Sequence, residues 1–279
     1  MMEQKVVFLD IDGTLTQPGC NEVPASAVWA IAQARAQGHY VYLCTGRNFG
    51  MLSPLLKYDF DGIISSAGGY IQCGDEVIYD CPMTEPQRQA AMDVLEKNGI
   101  FRTVECKEHS YVDECLRDYL YSQAAQKDNI EILQRRERLE QSLGILPMKE
   151  YQGEQVYKIV VMSKSMEALV RAHEALEKDF DLCVQEKDVS GLFYGEVVNK
   201  AFDKGRAIAR VCSYLHLPIE RSMAIGDSLN DLEMMQTAGL SICMDNGSEK
   251  LKKIADDICP SVSEHGIRAA FYKYRLITA

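Results

Sequence analysis

The apolar run Val6-Val7-Phe8-Leu9 ends abruptly in Asp10-Ile11-Asp12-Gly13, and this junction constrains the fold more than any other feature of the chain. Four consecutive apolar residues read as a strand buried on both faces. Two carboxylates follow, two positions apart, and then a glycine that lets the backbone turn. In open α/β sheets, ligands bind at the carboxyl ends of strands. Unpaired acids there are costly, so a cation or a proton is expected beside them. Calcium loops of the EF-hand type also begin with spaced acids, but they require a Glu at the twelfth position. Counting from Asp10, the twelfth residue is Asn21, and a strand pattern precedes the acids. The calcium-loop reading fails.

At 279 residues, the chain is long enough for two domains, or for one core with an insertion. Its 47% hydrophobic and 25% charged residues describe a globular protein with ample core material. Thirty basic residues against 41 acidic ones leave a net charge of -11. Basic residues concentrate in Arg135-Arg136-Glu137-Arg138, which reads as a solvated helix face, so nucleic acid is not an expected partner. No run of apolar residues is long enough to suggest a membrane span, and Asp10 and Asp12 interrupt the apolar N-terminal segment. Ten cysteines occur without Cys-x-x-Cys pairs or zinc spacing, and Cys44, Cys243 and Cys259 sit inside apolar runs. A reducing cytoplasm is the expected location.

Strand and helix patterns alternate through the first 80 residues: strand over 6–9, helix over 25–37 ended by Gly38, strands over 39–44 and 62–65. The end of the chain repeats this style, with helix over 207–215, strand over 222–225, helix over 229–238 and strand over 240–244. Near-continuous apolar strands separated by helices predict a doubly wound, mostly parallel α/β sheet covered on both faces. The middle is more charged, with amphipathic helices over 85–98 and 131–143 and strands over 156–162 and 192–198. It reads as an inserted α/β domain over residues 83–196, dividing a sheet domain made of 1–82 and 197–279.

Three further segments fall at strand ends or at a helix start. Thr45-Gly46-Arg47 follows the second strand, Lys204-Gly205 opens the returning helix, and Gly226-Asp227-Ser228-Leu229-Asn230-Asp231 follows the strand over 222–225. Singly, a turn, a solvated lysine and a helix cap would account for them. Together with Asp10-Ile11-Asp12-Gly13-Thr14-Leu15, and in this order, they resemble the four motifs of the haloacid dehalogenase superfamily. The insertion resembles the large α/β cap of its Cof-type sugar-phosphatase branch.

The resemblance implies a Rossmann-like core with a cap and Mg2+-dependent hydrolysis of a small phosphorylated metabolite through an aspartyl-phosphate. Asp10 would be the nucleophile. Its side chain, the backbone carbonyl of Asp12 and the side chain of Asp227 would hold Mg2+, while the Asp12 side chain acts as acid and then base. Thr45, the Gly46 amide, Lys204 and Asn230 would surround the phosphoryl oxygens, and Asp231 would orient Lys204 or a water on the metal. Arg47 and Asn246 are expected to meet substrate or cap. An acid at position 12 argues for a phosphatase or phosphomutase, because a halide leaving group needs no proton. Two departures stand out: Ala67-Gly68-Gly69 replaces the usual Asn-Gly-Ala, and Met244-Asp245-Asn246-Gly247 replaces Met-Gly-Asn-Ala. A hexose phosphate phosphomutase is the alternative enzyme, with Arg135, Arg136 and Arg138 as its candidate basic cluster. A phospho-accepting receiver module is the alternative outside the enzymes, but such modules lack a cap. A monomer and a homodimer are both compatible with the sequence.

Overall fold

The computed structural model describes residues 3–126, 144–187 and 191–278. Strand and helix alternate from the start: β1 (Val6–Leu9), α1 (Ala25–Ala36), β2 (Tyr40–Cys44) and β3 (Gly62–Ser65), followed by a hairpin of β4 (Tyr70–Cys73) and β5 (Glu76–Asp80). A second set follows: α2 (Glu85–Lys97), β6 (Phe101–Cys106), β7 (Ser110–Val112), α3 (Glu114–Gln126), β8 (Ile145–Pro147), β9 (Val156–Ser163), α4 (Met166–Leu176), β10 (Phe180–Lys187) and β11 (Phe193–Asn199). The chain then returns through α5 (Lys204–Tyr214), β12 (Ser222–Gly226), α6 (Leu232–Thr237), β13 (Leu240–Met244), α7 (Glu249–Lys252), β14 (Asp257–Cys259) and α8 (Gly266–Lys273). The helix expected over 131–143, with Arg135, Arg136 and Arg138, lies outside the described residues. No helix among the described residues is long and apolar enough to cross a membrane.

The first compact unit runs to Arg47, resumes over Leu52–Asp80 and takes the chain again from Phe202. Its eight-stranded sheet has the order β14-β13-β12-β1-β2-β3-β4-β5. Pairing is parallel from β14 through β3, and the β4–β5 hairpin adds two antiparallel strands at one edge. β1 is central, and all four of its residues are fully buried, as an apolar strand covered on both faces must be. Val6 and Phe8 join a core with Tyr42, Ala224, Ile208 and Val211 beneath α5 and α6, while Val7 and Leu9 alternate to the opposite face. The expected helix over 229–238 begins instead as a single 3-10 turn, Leu229–Asp231, before α6.

The second unit comprises Asn48–Met51 and Cys81–Ala201. Its six-stranded sheet has the order β10-β11-β9-β6-β7-β8. Ile159 and Val161 of β9 pack with Leu95 of α2 and Leu169 and Leu176 of α4, the i, i+3, i+4, i+7 spacing of an amphipathic helix face. Lys158 points to the other face. It is buried, with Nζ 2.8 Å from Glu196 Oε1 and 3.4 Å from Glu105 Oε2, and the Tyr194 hydroxyl donates to Glu196 at 3.2 Å. Asn48 fastens its own segment here, donating from Nδ2 to Ser110 Oγ at 3.0 Å and accepting from the Met51 amide at 3.0 Å.

Gly205, beside Lys204 at the start of α5, explains why that helix packs closely on α6. A Cβ at this position would lie 2.4 Å from Thr237 Oγ1 and 2.5 Å from the Glu233 carbonyl oxygen. Gly205→Ala is therefore expected to destabilise the protein by about 1–3 kcal/mol through overpacking, read as a lower urea midpoint at unchanged m-value.

Candidate active site

Parallel register brings the strand ends together. Leu9 of β1 pairs with Leu43 of β2 on one side and Ile225 of β12 on the other, so Asp10, Thr45 and Asp227 all emerge at one sheet edge. The Asp10 amide extends the ladder by donating to the Ile225 carbonyl at 3.0 Å. The chain then turns, with the Thr14, Leu15 and Thr16 amides all donating to the Ile11 carbonyl. Gly13 makes this turn at φ +87°, and a Cβ there would come within 2.4 Å of Asp227 Oδ2. The glycine of the first motif thus admits a carboxylate from the last.

Lys204 is the centre of the site. Asp203 caps α5 by accepting from the Arg206 amide at 2.7 Å, which places Lys204 in the first helical position, 2% exposed. Its Nζ donates to Asp10 Oδ1 at 2.7 Å and to Asp231 Oδ1 at 2.6 Å. The other oxygen of Asp231 accepts from the Asp227 and Ser228 amides at 3.1 and 3.2 Å. Buried Thr14 donates its hydroxyl to Asp227 Oδ1 at 3.2 Å. One oxygen from each of Asp10, Asp227 and Asp231 lies within 4.8 Å of the others. Three carboxylates against one ammonium leave an excess of negative charge, and an all-oxygen donor set suits a hard divalent cation.

Comparison with known proteins gives the family of the chain. The haloacid dehalogenase-like hydrolase family matches the chain over residues 7–271. The chain belongs to the haloacid dehalogenase-like hydrolases. It is 27% identical over 282 residues to the 5-amino-6-(5-phospho-D-ribitylamino)uracil phosphatase YwtE of Bacillus subtilis (strain 168), covering 94% of this chain and 95% of that protein. It is 26% identical to phosphatase YwpJ of the same organism, covering 94% and 97%. The structure of the haloacid dehalogenase subclass IIB sugar phosphatase BT4131 superposes with a TM-score of 0.76 at 22% identity, covering 98% of this chain and all of that one. The protein is an enzyme of the haloacid dehalogenase phosphatase type.

Within this hydrolase the other expected site residues are distributed unevenly. Buried Thr45 accepts at Oγ1 from the Arg47 amide at 3.1 Å, which leaves its hydroxyl proton to donate elsewhere. Gly46 follows it in the same turn. Asn230 is exposed, with Oδ1 taken by the Ser228 hydroxyl at 2.6 Å, and no hydrogen bond described joins it to the carboxylates. Asn246, expected to meet substrate or cap, donates to the Gly13 carbonyl at 2.8 Å. Arg47, given the same expectation, forks onto Asp12, with Nε 2.8 Å from Oδ2 and Nη2 2.7 Å from Oδ1. Asp245 is exposed and 3.6 Å from Lys252. Thr14 was legible as part of the first motif, but its bond to Asp227 depends on a fold contact 213 positions away.

The Ala67-Gly68-Gly69 departure coincides with local strain. Ser66 and Ala67 hold φ of 49° and 57°, and Gly68 follows at 105°. Left-handed backbone is unfavourable for residues with a Cβ and is retained where surrounding bonds over-determine it. Here the Ser66 amide donates to the Arg47 carbonyl at 2.8 Å and the Ala67 amide to the Thr45 carbonyl at 3.0 Å. The strained turn therefore braces the Thr45–Arg47 segment.

Burial, then the neighbouring Asp231 and Asp227, push the Asp10 carboxyl up to about 8 despite the pull of Lys204. Burial and Asp231 likewise raise Asp227 to about 6. Burial opposes the charge on Lys204, but Asp10 and Asp231 more than reverse this and hold its ammonium well above the ordinary lysine range. Between the ordinary Asp value of 3.8 and about 8, folded Asp10 keeps a proton that the unfolded chain has released. Its contribution to stability therefore falls as pH rises through that window. In EDTA, Asp10→Asn is expected to melt close to the unsubstituted protein at pH 5 and above it at pH 8. An added divalent cation should raise the melting temperature of the unsubstituted protein more at pH 8 than at pH 5, since a cation must displace the proton. Thermal melts at both pH values check both statements.

Proposed function

We propose that this chain is a Mg2+-dependent, Cof-type phosphatase that hydrolyses small phosphomonoesters of the sugar-phosphate kind through an aspartyl-phosphate on Asp10. The observation that carries the reading is the buried contact of Asp10 with Lys204 inside a cluster of three carboxylates. A phosphate monoester is an anion, so attack by a carboxylate requires fixed positive charge at the site. Lys204 supplies one such charge. The Asp10 and Asp227 side chains and the Asp12 carbonyl would hold Mg2+, which, when bound, neutralises charge shared by the carboxylates and the phosphoryl oxygens.

Asp10 attacks phosphorus, forming the acyl-phosphate bond while the ester P–O bond breaks. Asp12 gives a proton to the leaving oxygen and later takes one from the water that hydrolyses the intermediate. The Thr45 hydroxyl, the Gly46 amide and the Asn230 side-chain amide would join Lys204 in binding phosphoryl oxygens, and Asp231 would hold Lys204 toward Asp10. The second unit, Asn48–Met51 with Cys81–Ala201, would act as the cap that selects substrate. A small phosphorylated polyol follows from the ribityl phosphate and sugar phosphate chemistry named for YwtE and BT4131. None of the ten cysteines is in a disulfide, in keeping with a reducing cytoplasm.

A panel of phosphorylated metabolites assayed for phosphate release, with and without EDTA, tests the reading. Activity should vanish in EDTA and return with Mg2+. Asp10→Asn is expected to lower kcat by about 10³-fold or more while the fold, followed by circular dichroism, persists. Near-full activity of that variant would overturn the covalent mechanism.

A further inference from the structure

Arg47, expected to meet substrate or cap, has most of its donors committed within the protein. Its side chain is 9% exposed. Nε and Nη2 hold both oxygens of Asp12, Nη1 donates to Asn21 Oδ1 at 2.6 Å, and Nη2 also reaches the Cys20 carbonyl at 3.4 Å. An arginine carries five N–H donors in a rigid plane, and four of these have protein acceptors here. Little remains for a substrate phosphate. The Gly19 amide adds a bond to Asp12 Oδ1 at 3.1 Å, so among the described residues that oxygen accepts twice while Oδ2 accepts only from Nε.

The base of the arginine is equally fixed. Its amide donates to Thr45 Oγ1, and its carbonyl accepts from Ser66 in the strained turn. A planar two-point fork on a braced backbone sets the orientation of a carboxylate, which a single point charge does not. The Asp12 side chain is nonetheless 41% exposed, so part of the carboxylate stays open to solvent.

We propose that Arg47, anchored by Asn21, is a positioning residue for Asp12: it orients the carboxylate so that Oδ2, the oxygen with the open lone pair, exchanges the proton with the leaving group. Arg47 is then not a substrate contact. The inference rests on the reading of Asp12 as the acid–base group. Orientation matters in proportion to how much the leaving oxygen needs that proton. An alkyl ester needs it and a nitrophenyl ester hardly does.

The test measures kcat and KM for the unsubstituted enzyme and for Asp12→Asn, Arg47→Met, Arg47→Lys and the Asp12→Asn/Arg47→Met double variant. The substrates are 4-nitrophenyl phosphate and glycerol 2-phosphate. Arg47→Met should lower kcat on the alkyl ester by about 10²-fold, with only a several-fold change on the aryl ester and a nearly constant KM for both. Arg47→Lys should not restore the alkyl activity, since it keeps the charge and loses the fork. The double variant should be no worse than Asp12→Asn alone. Equal losses on both esters, a raised KM at constant kcat, rescue by lysine, or additive losses would each overturn the proposal. If Asp12→Asn itself shows no dependence on leaving group, the acid–base reading fails. If it does and Arg47→Met does not, only the positioning role fails. Should Arg47→Met not fold, Asn21→Ala removes one anchor and is expected to give a smaller loss confined to the alkyl ester, whereas an equal loss on both esters refutes the role.

Discussion

Everything at the carboxyl edge of the first sheet depends on one buried ammonium shared between two carboxylates. Lys204 is 2% exposed, Asp231 fully buried and Asp10 4% exposed. Charges so far from water persist only when paired and hydrogen-bonded, and removing one partner leaves another uncompensated. Asp231 meets that demand on every side, since its second oxygen takes two backbone amides. Asp10 does not, because the only described hydrogen-bond partner of its carboxylate is Lys204 and it faces Asp227 across the cluster. The imbalance is concentrated on the residue proposed to attack phosphorus. A site that holds surplus negative charge in a low-dielectric setting is poised to bind cations.

The backbone delivers this arrangement by close approach. Gly13 lets the first motif lie against Asp227, and Gly205 lets the helix bearing Lys204 settle on its neighbour. The turn at Ser66–Gly68 holds left-handed geometry to donate amides to Thr45 and Arg47. Strain gathered beside functional residues is a common price of pre-organisation. The second unit handles buried charge in the same way: Lys158 meets Glu196 and Glu105 directly.

Much of this was readable in the chain. The apolar runs and their terminating acids predicted the parallel strands, and the order of the motifs predicted the superfamily that the family match then showed. The β4–β5 hairpin was not foreseen, because exposed Val77 and Glu76 blur the period that marks a strand. The roles of Arg47 and Asn246 were legible only as polar residues near a motif. In the structure Arg47 donates to the Asp12 carboxylate and Asn246 to the Gly13 carbonyl.

By itself, the sequence determined which residue types stand at the strand ends, and hence the fold class and the kind of chemistry. Period-two alternation and turn residues are local, and local physics places Asp10, Thr45 and Asp227 each at the carboxyl end of its own strand. Only the tertiary structure decided how those side chains divide among partners. Lys204 reaches Asp10 across 194 positions, and Arg47 reaches Asp12 across 35. A long, many-donor side chain chooses its acceptor by packing, strand register and burial, none of which is written in the residues beside it.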